Sequence, residues 1–124
     1  MQQIKKSLQL TKEQYYETHL SIINPILPNN LTPMEIKVLA AFMSLDGSIS
    51  ESEYRFGTTA RKMVKARLEI SDAGVSNYMT QLIEKGFLIE KEVEGEKKKK
   101  IDILSILLPE KNEQIYMFKL VNLN

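Results

Sequence analysis

The sequence predicts a mainly helical α+β domain: a three-helix core followed by a β-hairpin, with an N-terminal helical extension and a C-terminal strand. Three observations carry that expectation. Apolar residues recur at helical spacing in segments bounded by capping signals between residues 11 and 85. After Gly86 the pattern changes to the shorter period of strands. A chain of 124 residues fits one domain, and 43% hydrophobic with 27% charged residues is the composition of a folded chain rather than a disordered one.

The first helix starts at Thr11, which can cap it while Gln14 reaches back to complete a capping box. It should end before Asn24-Pro25, because a residue preceding proline avoids helical dihedrals. Residues 24–30, with Pro25 and Pro28, read as an irregular connector that closes the extension 1–30. The second helix has the clearest start: Thr32 as N-cap, Pro33 in the first turn, Glu35 completing the capping box and Leu31 packing towards Ile36. Ile36, Leu39, Ala40 and Met43 follow helical spacing, and Asp46-Gly47 supplies the stop.

Residues 48–57 are polar and read as a loop, with helix resuming near Thr58 or Thr59. Ala60, Met63, Val64 and Leu68 form one apolar stripe there, and Arg61, Lys62 and Lys65 lie on the opposite side. Residues 68–70 make a short turn. Ser71 caps the next helix, residues 71–85, which turns Val75, Tyr78, Met79 and Leu82 inward and ends at Lys85-Gly86. Strands follow at 87–93 and 101–108 around a Glu94-Gly95-Glu96 turn, completing a core over 31–108. The remaining unit, 109–124, is expected to add a third strand at 115–123.

Charge and composition narrow the function. The chain has 17 basic and 16 acidic side chains and a net charge of +1, so any electrostatic argument must rest on where the charges lie. There is no cysteine, which removes disulfides, thiol catalysis and cysteine-based zinc sites, and His19 is the single histidine. With no phosphate-cradling glycine motif either, no enzyme, cofactor or metal site is expected. Apolar runs such as 103–108 fall well short of the roughly 20 residues that span a bilayer. The first ten residues lack a signal-peptide pattern. A cytoplasmic protein, or a virion component if viral, is expected, with no membrane partner.

The run LEISDAGVSNYMTQLIEKGFLIEK at 68–91 resembles the winged helix-turn-helix superfamily and is most similar to MarR-like small bacterial and phage regulators. In that pattern a hydrophobic turn residue precedes a Ser- or Thr-capped recognition helix. The helix closes on Leu-x-x-Lys-Gly-aromatic-Leu-Ile, and a wing strand comes at once. The likeness covers about residues 32–108. It implies a regulator that binds double-stranded DNA, dimeric in the usual case, with helix 71–85 in the major groove and the preceding helix on the backbone.

By helical angle the outward face of that helix is Ser76, Asn77, Thr80 and Gln81, side chains able to bond base edges. Arg61, Lys62 and Lys65 match positions near phosphates. Lys97, Lys98, Lys99 and Lys100 sit where a wing would reach a minor groove or backbone. The same side chains also suit an ordinary solvated surface, and the lysines can pair across the hairpin with Glu90, Glu92, Glu94 and Glu96. The helix has no arginine, and Glu84 and Asp72 are acidic, which points to modest rather than tight sequence-specific binding.

Tyr15, Tyr16 and His19 read as packing residues. A contact between two copies is expected in segments outside the core, where Ile4, Leu8, Tyr15, Leu20, Tyr116 and Phe118 look exposed. The near-balanced charge also suits another class, an assembly component of a phage virion or other large complex that binds protein subunits. A replication-initiator-like module, which also binds DNA, is a third.

Overall fold

The computed structural model describes residues 7–45, 56–91, 95, 100–109 and 113–123, with the backbone alone at 91 and 100. Helix α1 spans Lys12–Ile23 and opens on the expected capping box: Gln14 N–H donates to Thr11 Oγ1 at 3.2 Å, and Thr11 N–H to Gln14 Oε1 at 3.0 Å. At Pro25 the α-helix gives way to a single 3-10 turn, Asn24–Ile26. Asn24 then staples the connector, donating from Nδ2 to Leu31 O at 2.9 Å and accepting from Leu31 N at 2.7 Å.

Helix α2, Pro33–Met43, starts at the predicted Thr32 cap. Every residue of 38–43 is at most 1% exposed, so α2 is buried all round over that stretch rather than along one stripe. Its neighbours explain this: α1, α3 and α4 all pack against it. Leu20, expected among the exposed residues that join two copies, is instead fully buried in this core, because its position on α1 faces α2.

The expected loop at 48–57 falls largely outside the described residues, as does the Asp46-Gly47 stop. Its last part corrects the expectation of a polar loop. Phe56 is 1% exposed and its ring lies 4.9 Å from that of Phe42, so it belongs to the core. Helix α3, Thr58–Leu68, resumes at Thr58 as expected, with Gly57 at its N-cap. Ala60 and Val64 are buried, and Met63 and Leu68 pack on the core, as the stripe predicted.

Glu69 ends α3 in the left-handed region (φ 54°), bonding back to Lys65 O, and turns the chain within two residues into α4, Asp72–Glu84. The far end of α4 closes through Gly86 at φ 84°. Gly86 N–H reaches Ile83 O at 3.0 Å and Phe87 N–H reaches Leu82 O at 2.9 Å. A positive φ at this position favours glycine, and the paired bonds satisfy the last carbonyls of the helix.

Strands β1, Leu88–Lys91, and β2, Lys100–Ile103, pair antiparallel with Leu88 opposite Ile103 and Glu90 opposite Ile101. The second strand is shorter than expected. Ser105–Leu107 forms a 3-10 turn instead, and Leu107 drops into the core. The strand expected at 115–123 is absent: the described residues 113–123 carry neither helix nor strand. A β-prone segment becomes a strand only when a sheet edge is within reach. Here the turn at 105–107 leads the chain back to α1, where Tyr116 is held by His19. Among the described residues the architecture is thus four helices followed by a two-stranded antiparallel hairpin, a mainly helical α+β fold. Among the described residues no helix is long and apolar enough to cross a membrane.

Candidate nucleic-acid interface

Helix α4 begins at Ser71, whose hydroxyl accepts from Gly74 N–H at 3.0 Å, satisfying one of the free amides of the first turn. Val75, Met79 and Leu82 are buried and Tyr78 packs on the core. The opposite side of the helix carries Ser76, Asn77, Thr80, Gln81 and Glu84, all exposed. Thr80 Oγ1 donates to Ser76 O at 3.0 Å, which fixes its hydroxyl and leaves the oxygen outward as an acceptor.

Both ends of α4 are tied down. At the start, Lys65 Nζ of α3 lies 3.2 Å from Asp72 Oδ2, with the two side chains 42% and 85% exposed. At the end, Lys85 Nζ lies 2.6 Å from Glu35 Oε1 and 2.9 Å from Asn30 O, and Asn29 Nδ2 donates to Lys85 O at 3.1 Å. Glu35 is fully buried, and its Oε1 also accepts from Thr32 N–H at 2.8 Å. Burial pushes the Glu35 carboxyl up, but the Lys85 ammonium together with Thr32 outweighs it and holds the group below the usual carboxylate range. Among the described residues its second oxygen has no partner.

The basic residues of α3 are placed unequally. Lys62 is exposed, whereas Arg61 is half-buried with Nε donating to Phe56 O at 3.1 Å, and Lys65 is engaged with Asp72. The Lys65–Asp72 pair joins the two helices at their turn. Lys97, Lys98 and Lys99 lie outside the described residues, and of Lys100 only the backbone is described.

The chain matches no protein-family model, no curated protein and no solved structure.

Two anchoring residues had no separate sequence signal. Arg67 donates from Nη1 to Ser44 Oγ at 2.8 Å and lies 3.6 Å from Glu13 Oε2, tying α3 to α1 and the end of α2. Glu35 reads in sequence only as the closing residue of the Thr32 capping box; its burial and its bond to Lys85, 50 positions away, carry no local signal.

A second polar cluster sits on α1. His19 is buried, with Nε2 at 2.9 Å from Leu107 O and Nδ1 at 2.5 Å from the Tyr116 hydroxyl. A carbonyl oxygen only accepts, so Nε2 carries the proton and Nδ1 receives the Tyr116 hydroxyl hydrogen. Burial pushes the imidazole down from its ordinary value, against the Leu107 carbonyl, which favours the proton. Burial, with Tyr15 nearby, pushes the Tyr116 phenol up. Among the described residues no three His, Cys, Asp or Glu side chains gather where they could hold a metal ion.

Proposed function

We propose that this chain is a winged helix-turn-helix domain that binds duplex DNA as a regulator. In this scheme α4 enters the major groove, α3 meets phosphates through Arg61, Lys62 and Lys65, and the hairpin acts as the wing. The observation that carries it is the uncovered polar face of α4: Ser76, Asn77, Thr80 and Gln81 are all exposed on a helix anchored at each end. A groove about 12 Å wide admits a helix whose outer side chains are polar and short, and Asn and Gln can bond adenine at two points. Anchoring matters because base contacts need the helix held in one orientation.

The test is anisotropy of a labelled mixed-sequence duplex at low and moderate salt. Binding should weaken with salt, and changing Arg61, Lys62 and Lys65 together to Ala should flatten the salt slope by roughly one for each phosphate no longer neutralised. Absence of binding at low salt would overturn the proposal. It would favour a second function, an assembly component that meets protein, for which the net charge of +1 and the engagement of Lys65 by Asp72 speak.

A further inference from the structure

We infer that α4, resting on the groove binding proposed above, selects duplexes with a run of about three to four A·T pairs: Asn77 and Gln81 each bond an adenine, and Ala73 and Thr80 meet thymine methyl groups. At about 100° per residue, Ala73, Asn77, Thr80 and Glu84 fall within about 60° of one another, with Ser76 and Gln81 on the two flanks. All of these residues are exposed. Ala73 adds to the polar face a methyl group in the first turn, at the end of a recognition helix that meets base edges. From Ala73 to Gln81 the helix rises about 12 Å, the length of three to four base-pair steps.

The chemistry of each position favours A·T over G·C. Adenine presents an N7 acceptor and an N6 donor to the major groove, and an amide side chain can bond both. Among the described residues the amides of Asn77 and Gln81 have no partner, so neither must give up a bond to do this. Thr80 spends its hydroxyl hydrogen on Ser76 O, so a base meets its methyl group and an acceptor oxygen rather than a donor. Thymine is the one base with a methyl group in the major groove, and the methyls of Ala73 and Thr80 are apolar partners for it. Guanine is read chiefly by arginine or lysine, and α4 holds neither between Asp72 and Glu84. The lysines beside its two ends are turned to protein acceptors: Lys65 to Asp72, and Lys85 to Glu35 and to Asn30 O. Glu84 suits cytosine N4, but it stands about 16 Å along the axis from Ala73, at the far end of the helix.

The test starts with the full chain selecting from a duplex library randomised over a short central stretch; the enriched pool should share an A·T run. Anisotropy then compares a duplex carrying that run with one carrying G·C pairs in its place. The first should bind at least about tenfold more tightly, since one good two-point contact discriminates by about that factor. Replacing adenine with 7-deazaadenine removes the N7 acceptor, and replacing thymine with uracil removes the methyl group. Each should take away part of the advantage while the bases stay paired. Changing Asn77 and Gln81 together to Ala should bring the two duplexes close to level. The affinity for the G·C duplex and the salt slope should not change, because no charge is altered. Helical circular dichroism should not change either, because both side chains are exposed. A pool without A·T enrichment, or a preference indifferent to the base analogues and to the two alanines, would overturn the base assignment and leave duplex binding standing. Failure to bind any duplex at low salt would overturn both.

Discussion

Replacing Lys85 with methionine removes the ammonium group that lies 2.6 Å from the buried Glu35 carboxylate and leaves Thr32 N–H as its remaining donor. Breaking a buried ion pair from one side costs roughly 3–5 kcal/mol when the stranded charge is sealed off. Lys85 is 30% exposed, so water enters where its ammonium stood, and the expected loss is about 2 kcal/mol. Urea unfolding followed by far-ultraviolet circular dichroism measures it. With a slope of roughly 1–3 kcal/mol per molar, the midpoint should fall by about 1 M.

The pH dependence gives the loss a signature that ordinary packing damage lacks. In the parent chain the Glu35 carboxyl is held below its ordinary value of 4.5, so its contribution is complete above that value and fades as pH falls through the folded one. Without Lys85, burial dominates and the carboxyl rises. The sign then inverts: the variant is weakest at neutral pH, and its deficit shrinks on acidification towards about pH 5. Adding Glu35→Gln to Lys85→Met should recover most of the loss, since the stranded charge is gone. A deficit that stays constant between neutral pH and that point, or a double variant no better than the single one, would refute the assignment of Glu35 as a buried charged partner.

Gly86→Ala should lower stability by about 1 kcal/mol, read by the same urea titration. Nothing lies within 4 Å of the added methyl, so the whole cost is the left-handed backbone. His19→Gln should remove a fall in stability that the parent chain shows below about pH 6.5; the lowered folded value means stability is full above the ordinary value and drains as pH drops towards the folded one. Thermal melts at several pH values check this, and superimposable curves for the two proteins would contradict it. Asp72→Asn should tighten binding to duplex DNA severalfold, because it frees Lys65 from an exposed pair worth under about 1 kcal/mol and removes a negative charge beside the phosphates. Unchanged affinity in the anisotropy titration would place the start of α4 away from the duplex.

The features legible in the sequence are the local ones. The boxes at Thr11 and Thr32, the Ser71 cap and the Gly86 stop each involve residues a few positions apart, and each forms where the spacing indicates. The inward and outward faces of α4 follow from the helical angle alone. The illegible parts share the opposite character. Phe56 sits in a polar stretch and is core because Phe42 is beside it, a contact no local period reports. The expected strand at 115–123 has the composition of a strand and fails for want of a neighbouring edge, since the chain is drawn to α1 by a histidine 97 positions earlier.

The same division runs through the candidate interface. The polar face of α4 is readable because exposure follows from periodicity, whereas the contacts that aim that face are hidden. Lys65–Asp72 at one end is an exposed pair of small worth, and a phosphate can displace the carboxylate from it. Lys85–Glu35 at the other end is set in a buried carboxylate and does not yield to a surface ligand. One end of α4 is therefore firmly fixed, and the other is held by a bond that an incoming anion can exchange. Under the proposed groove binding, the fixed end would set the direction of the helix, and the exchangeable end would let Lys65 leave Asp72 for a phosphate without unfolding anything.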